Sequence, residues 1–108
     1  MQWLIFNAQS GHVFGVYAGE SEVDAIGELL RDASEPSDRD AVNAALKAGV
    51  ATVRWYEVTD EQIHQLRTEA GEAGDRAMAR ICDRAMDDGD LYARAQVGIA
   101  INAASAMR

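Results

Sequence analysis

Apolar residues at the start of the chain fall in two short runs, Trp3-Leu4-Ile5-Phe6 and Val13-Phe14-Gly15-Val16-Tyr17, rich in β-branched and aromatic side chains that suit a pleated surface. The polar segment between them, residues 7–12, contains Ser10-Gly11, so the pattern predicts a β-hairpin with a loop longer than the tightest turns use. Gly19 and Glu20 close the second strand. The period then changes. Ser21-x-x-Asp24, Ser37-x-x-Asp40 and Thr59-x-x-Gln62 have the spacing of capping boxes, in which a side-chain oxygen accepts a free backbone N–H of the first helical turn. After the first, Val23, Ile26, Leu30 and Ala33 recur at helical spacing, with Leu29 widening the stripe. After the second, Ala41, Val42, Ala45, Leu46 and Ala48 predict a short helix that Gly49 can end. Pro36 stands between the two, where a helix cannot continue through it.

Residues 51–58 (ATVRWYEV) predict a third strand, and everything from Thr59 onward reads as helix: about 60–73, 76–88 and 91–107. The order hairpin, helices, strand, helices implies an α+β fold. It would hold a three-stranded antiparallel sheet, the N-terminal hairpin plus one later strand, with helices on one face and a C-terminal three-helix element. At 108 residues and 48% hydrophobic the chain suits a single domain over 1–108, with a hairpin-helix-helix-strand part (1–58) and a helical part (59–108). The last helix carries no charge between Arg94 and Arg108. Its apolar positions fall on two sides, Val97, Ile101 and Ala104 apart from Leu91, Ala95, Gly98 and Asn102, so it is expected to be buried on two sides. It is either the central helix of the C-terminal bundle or a homodimer contact, with Ala95, Gly98, Asn102 and Ser105 permitting close approach.

The acidic run Asp87-Asp88-Gly89-Asp90 raises the question of a calcium loop. Such a loop needs Gly at its sixth position and Glu at its twelfth, and counting from Asp87 those positions are Tyr92 and Gly98. Gly89 suits instead the left-handed residue just past a helix, and Asp90 the cap of the next. The same pair occurs earlier as Gly74-Asp75, one device used twice.

Charge changes the picture more. Eighteen acids against ten bases give a net −8, which argues against direct contact with nucleic acid or an anionic membrane and favours a cationic protein partner or simple solubility. The excess is concentrated: residues 20–40 hold eight acids (Glu20, Glu22, Asp24, Glu28, Asp32, Glu35, Asp38, Asp40) and two bases (Arg31, Arg39), a net of −6. Asp24, Glu28 and Asp32 follow one another at i+4, where like charges disfavour their own helix by a few tenths of a kcal/mol each. With Glu35 they form either an ordinary solvated face or a docking surface for a Lys/Arg-rich protein that normally grips nucleic acid. Elsewhere the acids sit beside arginines, Arg80 facing Asp83 and Arg84 facing Asp87 and Asp88, and read as a self-neutralised face.

Candidate chemistry is sparse. His12, His64 and Cys82 lack the close ligand spacing of a zinc site, no phosphate-binding loop is present, and no cofactor is called for. A His64/Cys82 nucleophile pair is conceivable. Against it, Cys82 shares the apolar stripe Met78, Ile81, Cys82 and Ala85, which is where a small buried hydrophobe belongs. One cysteine cannot form an internal disulfide, residues 2–6 do not resemble a signal peptide, and the apolar run 95–107 is too short to span a bilayer, so a cytoplasmic protein is expected.

Trp3, Phe6, Ser10-Gly11, Gly15-Val16-Tyr17-Ala18-Gly19, Ala25, Leu29 and Asp32-Ala33 together resemble short proteins encoded on bacterial plasmids and phages. Leu66-Arg67, Glu69-Ala70, Gly74-Asp75, Met78 and Ile81-Cys82-Asp83-Arg84-Ala85-Met86 are similar to a helical element of such accessory proteins. The resemblance implies a setting in which small acidic proteins act against host defence, anti-CRISPR proteins among them, and it carries over no catalytic residue. The function expected is therefore a non-catalytic acidic inhibitor of a host nucleic-acid-handling complex. A structural or regulatory homodimer is the alternative, and a small enzyme using His64 and Cys82 comes third.

Overall fold

The computed structural model describes residues 1–106, which form three strands and five helices in the order β1 (Gln2–Asn7), β2 (Val13–Ala18), α1 (Glu22–Asp32), α2 (Arg39–Lys47), β3 (Val50–Trp55), α3 (Asp60–Ala73), α4 (Arg76–Asp87) and α5 (Leu91–Ala106). This is the α+β arrangement expected. Met107, which the pattern includes in the last helix, lies outside the described residues. The chain divides into two compact units, Met1–Trp55 and Tyr56–Arg108.

In the first unit β1 is the middle strand of an antiparallel sheet of order β2-β1-β3. Period-2 alternation sends Ile5 to the face on which α1 and α2 pack, where it is buried with Ala25, Ile26 and Val42. Trp3, Tyr17, Leu29, Leu30, Ala45 and Val50 surround that cluster. Asn7 closes the hairpin: its Oδ1 accepts from the backbone N–H of Gln9 (2.9 Å) and Ser10 (3.0 Å), an Asx turn. Past the turn, Phe6 pairs with Val13 while Ile5 pairs with Gly15, so Phe14 is the extra residue of a β-bulge.

The helix starts follow the chemistry with one correction. Ser21 accepts from the Asp24 N–H, and Thr59 and Gln62 form the reciprocal capping box. At α2, however, the cap is Asp38, whose Oδ1 accepts from Ala41 N–H at 2.9 Å, while Ser37 turns to accept from Arg31 Nε at 3.4 Å. A carboxylate is the stronger acceptor and the more favourable charge at a helix N-terminus, so the start moves one residue on. Two further differences arise from packing. Val23 is 50% exposed, because the buried face of α1 is centred on Ala25, Ile26 and Gly27. And β3 stops at Trp55, leaving Val58 to join the core of the second unit.

That second core gathers Val58, Ile63, Cys82, Ala85, Ala93 and Val97. α4 packs on both α3 and α5, whereas α3 and α5 barely meet, so α4 and not the last helix is the middle member. The second buried side of α5 has its own cause: a side chain at Gly98 would approach the Tyr56 carbonyl to 3.0 Å, and the neighbouring Arg94 reaches Val58 O at 2.8 Å. Gly74 and Gly89 are both left-handed (φ 76° and 63°), and Asp75 and Asp90 accept N–H groups at the next helix starts. The Gly-Asp pair is thus one device used twice.

At the end of α1 the same left-handed position is taken by Ser34 (φ 59°), with Glu35 N–H reaching back to Leu30 O at 2.8 Å. A Cβ in this conformation costs on the order of 1 kcal/mol. Ser34→Gly should therefore raise stability by up to about 0.5 kcal/mol once glycine's greater freedom in the unfolded chain is offset, read as a slightly higher denaturant midpoint at unchanged slope.

Candidate docking surface

The acidic residues are positioned by the way the chain leaves β2. Gly19 O accepts from Trp3 Nε1 at 3.1 Å, and a side chain at Gly19 would meet the Ala25 backbone nitrogen at 2.6 Å. Only glycine lets the strand run so close under the first turn of α1. The helix then lies over β2, with Ala25, Ile26, Leu29 and Leu30 toward the sheet and the carboxylates at 24, 28 and 32 outward.

Each predicted contact residue can now be placed. Asp32 lies beside β2, its Oδ2 accepting from Tyr17 Oη at 2.9 Å. Glu28 is ion-paired with Arg31. Both line an open groove whose other walls are Phe14, Gly15, Val16, Tyr17 and Arg31. Asp24 is exposed one turn earlier in the same row, with no side-chain partner among the described residues. Glu35 stands apart, past the end of the helix, exposed and beyond the left-handed Ser34. The structure therefore brings Glu28 and Asp32 together beside the aromatic hairpin, adds Asp24 along the row, and leaves Glu35 outside.

The i+4 rule located the row, but not its neighbours. Phe14 is 40% exposed because the bulge breaks the alternation that would otherwise decide its face, and its ring meets that of His12 edge-on with centroids 4.8 Å apart. Bulges are not written in the hydrophobic period, although Gly15 inside the strand run (φ 135°) is the one local sign of it.

The other candidates separate. Cys82 is completely buried, and that burial, helped by the Asp83 charge, pushes its thiol above the usual range. His64 is exposed on α3, its carbonyl accepting from Thr68 Oγ1. The thiol is thus interior and the imidazole outward. Asp83 pairs with Arg67 of α3 (3.0 Å) in place of the Arg80 that sequence spacing offered. Among the described residues no three His, Cys, Asp or Glu side chains are grouped as a metal site would require, and no helix is long and apolar enough to cross a membrane.

Two outcomes are expected. The Tyr17 hydroxyl is held protonated first by its hydrogen bond to Asp32, then by partial burial and by the carboxylate's charge, so its pKa is raised above 10.0. The unfolded chain then loses this proton first, and the stabilisation, complete below pH 10, is lost as pH rises through the folded-state value. Tyr17→Phe should cost no more than about 0.5 kcal/mol at neutral pH, because the bond is exposed to solvent, and flatten the alkaline limb of a stability–pH profile. For Cys82, a disulfide reagent should fail to label the native protein and label it fully in denaturant. Cys82→Ala should fold at a cost of about 1–2 kcal/mol, as expected for trimming a small buried group.

No protein-family model, curated protein or solved structure matches the chain.

Proposed function

We propose that the protein is a non-catalytic binding protein of a mobile genetic element, acting in the cytoplasm, whose α1 surface occupies a basic, nucleic-acid-binding surface of a host defence complex of the CRISPR effector kind. The observation that carries the reading is the row Asp24, Glu28 and Asp32 on the outer side of α1, inside a segment of net −6, next to a groove with an exposed aromatic ring. Like charges at i+4 repel one another, and although the helix N-terminus, Arg31 and Tyr17 offset part of that, a partner of opposite sign would complete the row. The burial of Cys82 and the outward position of His64 support a role without covalent chemistry. The close approach that Gly98 offered to a second copy is taken up by Tyr56 of the same chain, which favours the acidic surface over a homodimer through α5.

A plasmid-interference assay tests this. Expressed in cells with an active CRISPR system, the protein should protect a targeted plasmid. Asp24→Lys/Glu28→Lys should remove that protection while the purified variant keeps its melting temperature within a few degrees, since exposed charges contribute little to stability. Asp32 is left unchanged because it also holds Tyr17. Absence of protection by the unmodified chain, or equal protection by the charge-reversed one, would refute the reading.

A further inference from the structure

β2 is the outer strand of its sheet, and its free side opens into the groove beneath α1. The direction of its backbone groups follows from register. Gly19 N–H donates to Met1 O at 3.0 Å, and from that pair the register runs through Gln2↔Ala18, Trp3↔Tyr17, Leu4↔Val16 and Ile5↔Gly15. Antiparallel pairs alternate between bonded and non-bonded, so Tyr17 and Gly15 turn their N–H and C=O to β1. Val16 and Ala18 turn theirs outward, where no partner is found for them among the described residues. Val16 lines the groove with Glu28 and Asp32, Ala18 follows it along the same edge, and the exposed Phe14 ring stands at the bulged end.

We infer that this edge receives an extended segment of a partner protein with Lys or Arg at alternate positions, added as a fourth strand along Val16 to Ala18. The inference rests on the proposed function and specifies how the cationic partner is held. Backbone pairing at Val16 and Ala18 would fix the register. In an added strand every second side chain points to the α1 side, where Glu28 and Asp32 meet it, and an alkyl stem or guanidinium can lie on the Phe14 ring. The groove already accommodates a cation: Arg31 pairs there with Glu28 and donates to Ser37 Oγ. Both members of that pair are about half exposed or more, 62% and 49%, so the contact is weak and an incoming cation can replace it. A second copy of the chain fits less well, since pairing β2 with β2 would bring two acidic rows toward each other.

The test uses the full-length, isotope-labelled protein and a short synthetic peptide alternating lysine and threonine, with the same peptide carrying glutamate for lysine as control. At saturation, amide hydrogen exchange at Val16 and Ala18 should slow by about tenfold or more, while Gly15 and Tyr17, already bonded to β1, change little. Ala18→Pro removes one outward donor at the strand end and should weaken lysine-peptide binding by about tenfold. Arg31→Ala should strengthen it severalfold, and the glutamate peptide should not bind. Should Ala18→Pro prove poorly folded, the exchange result on the unmodified chain decides. Lysine-peptide binding that Asp24→Lys/Glu28→Lys abolishes, but that leaves Val16 and Ala18 unprotected, overturns the added strand and leaves the acidic docking surface standing. No binding, equal binding of the glutamate peptide, or protection that instead accompanies a dimer in sedimentation overturns the inference.

Discussion

Gly19 is the constraint on which the first unit turns. A β-carbon there would sit 2.6 Å from the Ala25 backbone nitrogen, well inside contact distance, and backbone cannot move aside as a side-chain tip can. The close approach lets Ser21 cap the helix immediately and lets Trp3 bond the Gly19 carbonyl, so strand and helix are joined with almost no slack. It also fixes the rotation of α1. With Ala25 and Ile26 held down onto Ile5, positions 24, 28 and 32 fall on an exposed side of the helix, and Asp32 comes within reach of Tyr17 on β2. The charge row and the strand edge are neighbours because of one missing side chain.

An open strand edge is a liability that most sheets disguise with a bulge, a charge or a covering element. Two of these devices stand at β2: a bulge at Phe14 and the carboxylates of α1. Together they leave a short regular edge lined by carboxylates, and two such edges brought together would set like charges opposite one another. The same arrangement discriminates by sign, because whatever is kept out by like charge is admitted by opposite charge. If β2 receives a cationic strand as proposed, protection against self-association and selection of that strand are one physical feature seen from two sides.

The legible part of the fold was the part governed by short-range rules. Alternation at Trp3 to Phe6, the boxes at Ser21 and Thr59, and the paired Gly74-Asp75 and Gly89-Asp90 turns each depend on a few adjacent residues, and each appears where the pattern put it. What stayed hidden depended on tertiary context. Asp38 displaces Ser37 as a cap while Ser37 is drawn to Arg31, and Arg67 displaces Arg80 as the partner of Asp83. The two-sided burial expected of α5 holds only in its first half, where Ala95, Val97 and Gly98 are buried, whereas Leu91, Asn102 and Ala104 are exposed, and periodicity alone cannot say that one side meets α4 and the other the chain near Tyr56. Of the site, the carboxylate row could be found from i+4 spacing. That an exposed Phe14 and outward Val16 and Ala18 amides stand beside it could not, since a bulge shifts the register without changing composition.

Charge and edge act over different distances, and this decides what each can contribute. A net −8 spread so unevenly makes a field felt about a Debye length away, roughly 8 Å at physiological salt, enough to speed encounter with a basic surface and to turn away nucleic acid itself. Such a field is blind to sequence and geometry, and it weakens as salt rises. Backbone hydrogen bonds along Val16 and Ala18 have no reach at all, but once made they demand an extended chain in one register and are nearly indifferent to salt. A surface with only the row would bind many cationic proteins loosely, and one with only the edge would be slow and indiscriminate among strands. On the proposed reading, with the two held side by side by Gly19, the first would bring the partner in and the second would test its shape, which is how so small an acidic unit could single out one basic segment.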